Sequence, residues 1–273
     1  MVFEGCGLVD MRSRAIAPLE KLKSQWVFLD GVRVHALVPA VPAPADSPPL
    51  VILPGFVVSS RYIEPTAEWL TSFFPVYVPD LPGSGRSDQP KVLPDLTGLA
   101  SFLEIWMQEM GLGRVAVLGA SFGSQIAAEF AVRYPDRVAR MVMVGPTMDP
   151  EARTPFHIMW RWLINASREP PLPKSMLRDY LDVSPRWVFH LARQALRDRI
   201  EDKLPNIPTP TLVVQGSRDP LSPPEWAEKV VSLLPNARLQ IIPEASHSVL
   251  QYWVKELAEY AIPFLKEGFS PTP

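Results

Sequence analysis

Five short apolar runs punctuate the chain, each closed by a turn residue. Leu50-Val51-Ile52-Leu53 ends at Pro54-Gly55, and Val76-Tyr77-Val78 ends at Pro79-Asp80. Val115-Ala116-Val117-Leu118 ends at Gly119, Met141-Val142-Met143-Val144 at Gly145, and Thr211-Leu212-Val213-Val214 at Gln215-Gly216. Apolar residues that do not alternate with polar ones predict strands covered on both faces. Residues 239–242 form a last run of this kind. Between the runs, residues 62–72 and 96–110 carry apolar side chains at helical spacing. Residues 124–134 do the same and stop before Pro135. Strands alternating with helices predict a mostly parallel sheet wrapped on both faces.

Two earlier segments, 26–29 and 32–38, flank Asp30-Gly31, a hairpin dipeptide. The second alternates, with Val32, Val34, Ala36 and Val38 on one side and His35 on the other. The sheet is therefore expected to begin with an antiparallel pair, with His35 on its surface. From 147 to 207 the strand rhythm stops. Three helix-like stretches, 156–166, 175–181 and 186–203, are separated by prolines. About 60 residues make a small core on their own, so this segment reads as an insertion. The expected organisation is an N-terminal arm over 1–24, a core over 25–146 and 208–273, and a helical cap over 147–207.

Composition narrows the function classes. Of 273 residues, 47% are hydrophobic and 21% charged, as in ordinary globular chains. The net charge of −2 holds no basic excess that would ask for nucleic acid or an anionic membrane. No apolar run approaches the ~18 residues of a membrane span, and the start has no basic segment followed by an apolar one. With a lone cysteine, Cys6, these features lead to a cytoplasmic expectation. The 32 prolines are about 12% of the chain against an ordinary ~5%. Thermostability and a GC-rich genome explain that excess equally well.

Gly119-Ala120-Ser121-Phe122-Gly123 matches G-x-S-x-G. Random placement of the chain's 20 serines and 14 glycines gives about 0.05 such matches, far fewer than the one observed. It also follows a buried strand and opens a helix, the setting of a nucleophile elbow. A sharp turn there crowds the residues on either side of the serine, and only small ones fit. The turn lifts the Ser121 hydroxyl above the sheet. It sets the Phe122 N–H at a helix N-terminus, facing developing negative charge.

A serine nucleophile needs a base, and the base an orienting acid. His157 and His190 lie in the insertion and read as helix-surface residues. His247, in Pro243-Glu244-Ala245-Ser246-His247, follows the last strand, at the rim where ligands of open α/β sheets gather. Asp219 follows the 211–214 strand on the same rim, and the order Ser121, Asp219, His247 fits this architecture. Asp149, after the 141–144 strand, is the rival acid. Asp80 reads as a brace for the glycine turn that follows it. The second oxyanion donor is expected in the loop after 50–53. Pro54 has no N–H, and Gly55 lets the backbone approach, so the Phe56 N–H is the candidate.

From about residue 26 to 265 the chain resembles the α/β-hydrolase superfamily. The resemblance is carried by Leu53-Pro54-Gly55-Phe56, by Asp80-Leu81-Pro82-Gly83-Ser84-Gly85-Arg86-Ser87-Asp88, by the elbow at Ser121, by Gly216-Ser217-Arg218-Asp219 and by Ser246-His247. It implies an α/β-hydrolase fold with a mostly parallel eight-stranded sheet, a helical cap after the sixth strand, and neither cofactor nor metal. The family commonly has His-Gly in the oxyanion loop, where this chain has Pro54-Gly55. Epoxide hydrolases and haloalkane dehalogenases of the superfamily place aspartate at the elbow, where this chain has Ser121. Carbon–carbon bond hydrolases typically carry tryptophan after the catalytic histidine, and here that residue is Ser248. The expectation is a serine hydrolase that cleaves a small to medium apolar carboxylic ester or lactone through an acyl-enzyme. A carbon–carbon bond hydrolase and a non-turnover ligand receptor are the alternatives. The aromatics Phe156, Trp160, Trp162, Trp187 and Phe189 suggest apolar walls or anchors for the cap. The cap is expected to set acyl-length selectivity without supplying catalytic groups.

Overall fold

A computed structural model describes residues 21–41 and 47–268. Eight strands form one sheet: β1 (Leu22–Leu29), β2 (Val32–Pro39), β3 (Leu50–Leu53), β4 (Val76–Pro79), β5 (Val115–Ala120), β6 (Val138–Val144), β7 (Thr211–Gly216) and β8 (Ala237–Ile242). Their order is β1-β2-β4-β3-β5-β6-β7-β8. β2 runs antiparallel to both β1 and β4, and the remaining pairs are parallel. The helices are α1 (Ser60–Leu70), α2 (Leu96–Glu109), α3 (Phe122–Arg133), α4 (Pro155–Arg168), α5 (Lys174–Asp182), α6 (Pro185–Arg197), α7 (Ile200–Lys203), α8 (Pro224–Leu233), α9 (Val249–Tyr252) and α10 (Val254–Lys266).

The unbroken apolar runs follow from two separate cores, one on each face of the sheet. Val51, Leu53, Val115, Val117, Met141 and Met143 face α2, α3 and α8, where Trp106, Phe130 and Trp226 are buried. Leu50, Ile52, Ala116, Leu118, Val142 and Val144 face α1 and α10, against Ile63, Leu70 and Phe264. Successive strand residues point to opposite faces, so every position in the run is apolar.

Three expectations change. His35 is not a surface residue but fully buried. β2 has strands on both sides, and the segment after β4 covers its second face. His35 Nδ1 lies 2.9 Å from Asp80 Oδ2, and Nε2 lies 2.9 Å from Ser24 Oγ. Asp80 also accepts from the Ser60 and Arg86 N–H groups, as a brace of the glycine turn should. Secondly, β1 starts at Leu22, inside the stretch 1–24 expected to be an arm, because residues 22–29 pair continuously with 39–32. Residues 1–20 of that arm lie outside the described residues. Thirdly, the helix expected over 186–203 breaks at Asp198, whose backbone is extended. There its carboxylate accepts from Gln125 Nε2 at 2.9 Å and pairs with Lys203.

Helices α4 to α7 lie between β6 and β7. They are fastened to the core by buried polar contacts. Asp179 of α5 accepts from the Ser59 N–H and hydroxyl at 2.8 and 2.7 Å and pairs with Arg61. Trp187 of α6 is fully buried, donates to Ser84 Oγ at 3.2 Å, and stacks on His190. Four of the other insertion aromatics, Phe156, Trp160, Trp162 and Phe189, are exposed, and Tyr180 is half-buried.

Candidate active site

Parallel strands in the order β5-β6-β7-β8 bring their carboxyl ends to one rim. Ser121 follows β5, Gly145 follows β6, and Asp219 and His247 follow β7 and β8. The Ser121 backbone has φ 53° and ψ −119°, a conformation that costs an L residue about 1–3 kcal/mol. The flanking glycines make it attainable. A Cβ on Gly119 would sit 2.5 Å from Gly123 O, and one on Gly123 would collide with Leu53 O.

His247 Nδ1 lies 2.7 Å from Asp219 Oδ2. A carboxylate can only accept, so Nδ1 carries the proton and Nε2 is left basic. Asp219 is fixed by further donors: Gln215 Nε2 at 3.1 Å, and the Leu221 and Ser222 N–H groups at 2.8 and 3.0 Å. Its side chain is fully buried, while His247 keeps 12% of its side chain exposed. Burial of His247 lowers its pKa, but the Asp219 carboxylate beside it, and then Glu169, outweigh that and raise it above the ordinary imidazole value.

The imidazole reaches back over the end of β6. A Cβ on Gly145 would lie 3.2 Å from both His247 Cε1 and Asp219 Oδ2. On the opposite side of that strand end, the Ser121 N–H donates to Val144 O at 2.8 Å. Ser121 and the His247–Asp219 pair thus flank the Val144–Gly145 corner. The structure gives the rival acid different work. Asp149 caps the turn at Glu151 and pairs with Arg161 at 2.7 Å.

The loop after β3 closes the site. A Cβ on Gly55 would be 3.5 Å from Ser121 Cβ. The rings of Phe56 and Phe122 meet edge to face at 6.1 Å, which brings these two residues together beside Ser121. Phe122 is the first residue of α3, so its N–H has no intrahelical acceptor. Among the described residues, neither its N–H nor that of Phe56 donates to a protein group. The rim thus gathers a serine on a strained turn, a histidine paired with a carboxylate, and two backbone N–H groups without a protein acceptor among the described residues.

Other residues at this rim were not legible in the sequence. Gln215 is fully buried under Asp219. From the end of α4, Asn165 accepts from the His247 N–H, and Glu169 accepts from Ser246 and Ser248. Gln215 adjoins the Gly216 turn and could be suspected from that position. Nothing in the periodicity of α4 says which sheet loop its end meets. His157 is exposed and bonds Thr154, and His190 bonds Pro94 O, so both have local roles.

A family model described as alpha/beta hydrolase fold matches residues 48–166, and one described as TAP-like protein matches residues 186–272. The polyketide synthase ThaQ of Burkholderia thailandensis is 29% identical over 246 residues, 81% of this chain and 12% of that protein. A pimeloyl-[acyl-carrier protein] methyl ester esterase of Nitrosomonas europaea is 26% identical, over 74% of this chain and 90% of the esterase. The chain spans less than half the length of several curated relatives it matches. Among solved structures, a membrane phospholipase A described as a bacterial virulence factor superposes with a TM-score of 0.75 at 25% identity, covering 90% of this chain and 86% of that one. Among the described residues, no helix is long and apolar enough to cross a membrane. The eight-stranded sheet, the elbow at Ser121 and both family matches agree: the chain belongs to the α/β-hydrolase superfamily.

Proposed function

We propose that the protein is a serine hydrolase that cleaves a small to medium apolar carboxylic ester or lactone through an acyl-enzyme. The observation that carries this reading is the strained Ser121 on the same rim as a His247 held by Asp219 at 2.7 Å. Ser121 Oγ attacks the ester carbonyl carbon while His247 Nε2 takes its proton. Asp219 holds the ring in the required tautomer and stabilises the imidazolium. The carbonyl oxygen becomes an oxyanion, and the Phe56 and Phe122 N–H groups receive it. Collapse of the intermediate breaks the ester C–O bond. The leaving alkoxide takes the proton from His247 and departs as the alcohol; in a lactone it stays tethered to the acyl group. Water, deprotonated by His247, then attacks the acyl-enzyme, and the acid leaves as the proton returns to Ser121. The esterase named among the relatives supports an ester as the bond cleaved.

Turnover of p-nitrophenyl acyl esters tests this reading. Ser121→Ala is expected to fold normally and to lose several orders of magnitude in rate. Background catalysis of ~10³–10⁴ over water can persist through the oxyanion donors. Wild-type turnover in this variant would remove Ser121 as the nucleophile. Stoichiometric release without turnover by the unmodified protein would identify a receptor. Preference for vinylogous diketones would identify carbon–carbon bond hydrolysis.

A further inference from the structure

Three consecutive residues of the loop carrying His247 donate to two side chains of the insertion. The Ser246 hydroxyl donates to Glu169 Oε1 at 3.0 Å. The His247 N–H donates to Asn165 Oδ1 at 3.2 Å. The Ser248 N–H donates to Glu169 Oε1 at 2.7 Å, and its hydroxyl to Glu169 Oε2 at 2.8 Å. Asn165 and Glu169 are four residues apart at the end of α4, so they stand on one helix face. Asn165 and Ser246 are buried. Glu169 is the C-cap residue of α4, where the negative end of the helix dipole disfavours a carboxylate. Helix propensity therefore gives no reason for an acid there, whereas the three donors from the loop do.

We propose that Glu169, with Asn165, is a positioning residue for the His247 base, holding the 246–248 backbone so that the imidazole reaches from Asp219 over Gly145 toward Ser121. The inference rests on the serine-hydrolase reading. It gives the insertion a part in catalysis: the base is in place only while the end of α4 is docked on its loop. Glu169 also acts through space. The carboxylates that favour the imidazolium are Asp219, from the loop after β7, and Glu169, from α4. Arg218, from the loop after β7, and Glu244, from the loop after β8, pair with each other. Tyr62 of α1, beside Ser248, has its pKa raised by burial and stays neutral at assay pH. Burial likewise raises Tyr180 of α5, to about 12, and Tyr252 of α9.

The test compares Glu169→Ala and Glu169→Gln, with Ser121→Ala as the control for the reading itself. Glutamine keeps an acceptor oxygen for Ser246 and Ser248 but loses the charge. Glu169→Ala is expected to lower kcat on p-nitrophenyl acetate about 30-fold with KM little changed, as for a displaced catalytic group. Glu169→Gln is expected to recover to within about threefold of wild type. With one carboxylate fewer, the imidazolium is less favoured, so the acid limb of kcat/KM should move to lower pH in Glu169→Gln. Hydrogen exchange at the Ser248 amide should accelerate in Glu169→Ala and not in Glu169→Gln. An unchanged kcat in Glu169→Ala overturns the proposal. So do equal losses in both variants carried by KM with the acid limb unmoved, because that pattern marks a residue that only docks the insertion. If Glu169→Ala does not fold, the acid limb of Glu169→Gln decides. Fluorophosphonate labelling separates the two levels. Labelling at Ser121 with an unmoved limb defeats only this inference. A protein that does not label and is indifferent to Ser121→Ala defeats the hydrolase reading.

Discussion

Asp219 and Asp149 both follow sheet strands at the same rim, yet their partners separate them. Asp219 Oδ2 meets His247, whereas Asp149 is occupied by Arg161 and a turn N–H. Asp219→Asn should therefore cost about 10⁴ in kcat, the loss expected when the imidazole is held in the wrong tautomer. Asp149→Asn should stay within about tenfold of wild type; kcat on one activated ester compares the two. The raised pKa of His247 fixes a sign as well. Neutral imidazole is the base, so the acid limb of kcat/KM should lie above the ~6.5 of a free imidazole. The stabilisation from charging His247 is complete below that unfolded value and is lost as pH rises through the higher folded one. Fold stability and activity at this residue thus run in opposite directions with pH. The three candidate catalytic residues were legible because each sits within a few residues of a strand end. His35 was misread because alternation reports two faces and not what covers them. The covering residues, Asp80 and Arg86, come from the segment after β4.

Among the elements, the insertion shows what a helix pattern reports and what it omits. Its helical stretches follow the 3.6-residue period and the prolines. The break at Asp198 did not, because it is made by a tertiary contact with Gln125. The exposure of its tryptophans also divides them. Trp187 is fully buried against Gly83 and Ser84, whereas Trp160 is 58% exposed. Trp187→Ala should therefore destabilise the protein by about 3 kcal/mol or more. It should lower kcat/KM by a similar factor for every ester from acetyl to octanoyl. Trp160→Ala should leave the thermal midpoint nearly unchanged. A change of acyl preference in Trp187→Ala, with stability intact, would instead make that ring a substrate wall.

At the scale of the whole molecule, the alternation of runs and helices was enough to predict a sheet with a core on each face. It could not give the crossing that places β4 between β2 and β3, because periodicity carries no information about which strands are neighbours. That strand order has a consequence for how the protein regains activity after denaturation. β1 and β2 can close through a two-residue turn, but β3 must find β5 across β4 and α2, and β7 must find β6 across the entire insertion. Pairings between distant parts of the chain form slowly. Ser121 and His247 come to the same rim only after the latest of them. Ester turnover should therefore return more slowly than far-UV circular dichroism when denaturant is diluted, leaving an interval in which the chain is largely folded and chemically silent. Coincident recovery of both signals would show that the sheet assembles in one cooperative step, with no such silent species.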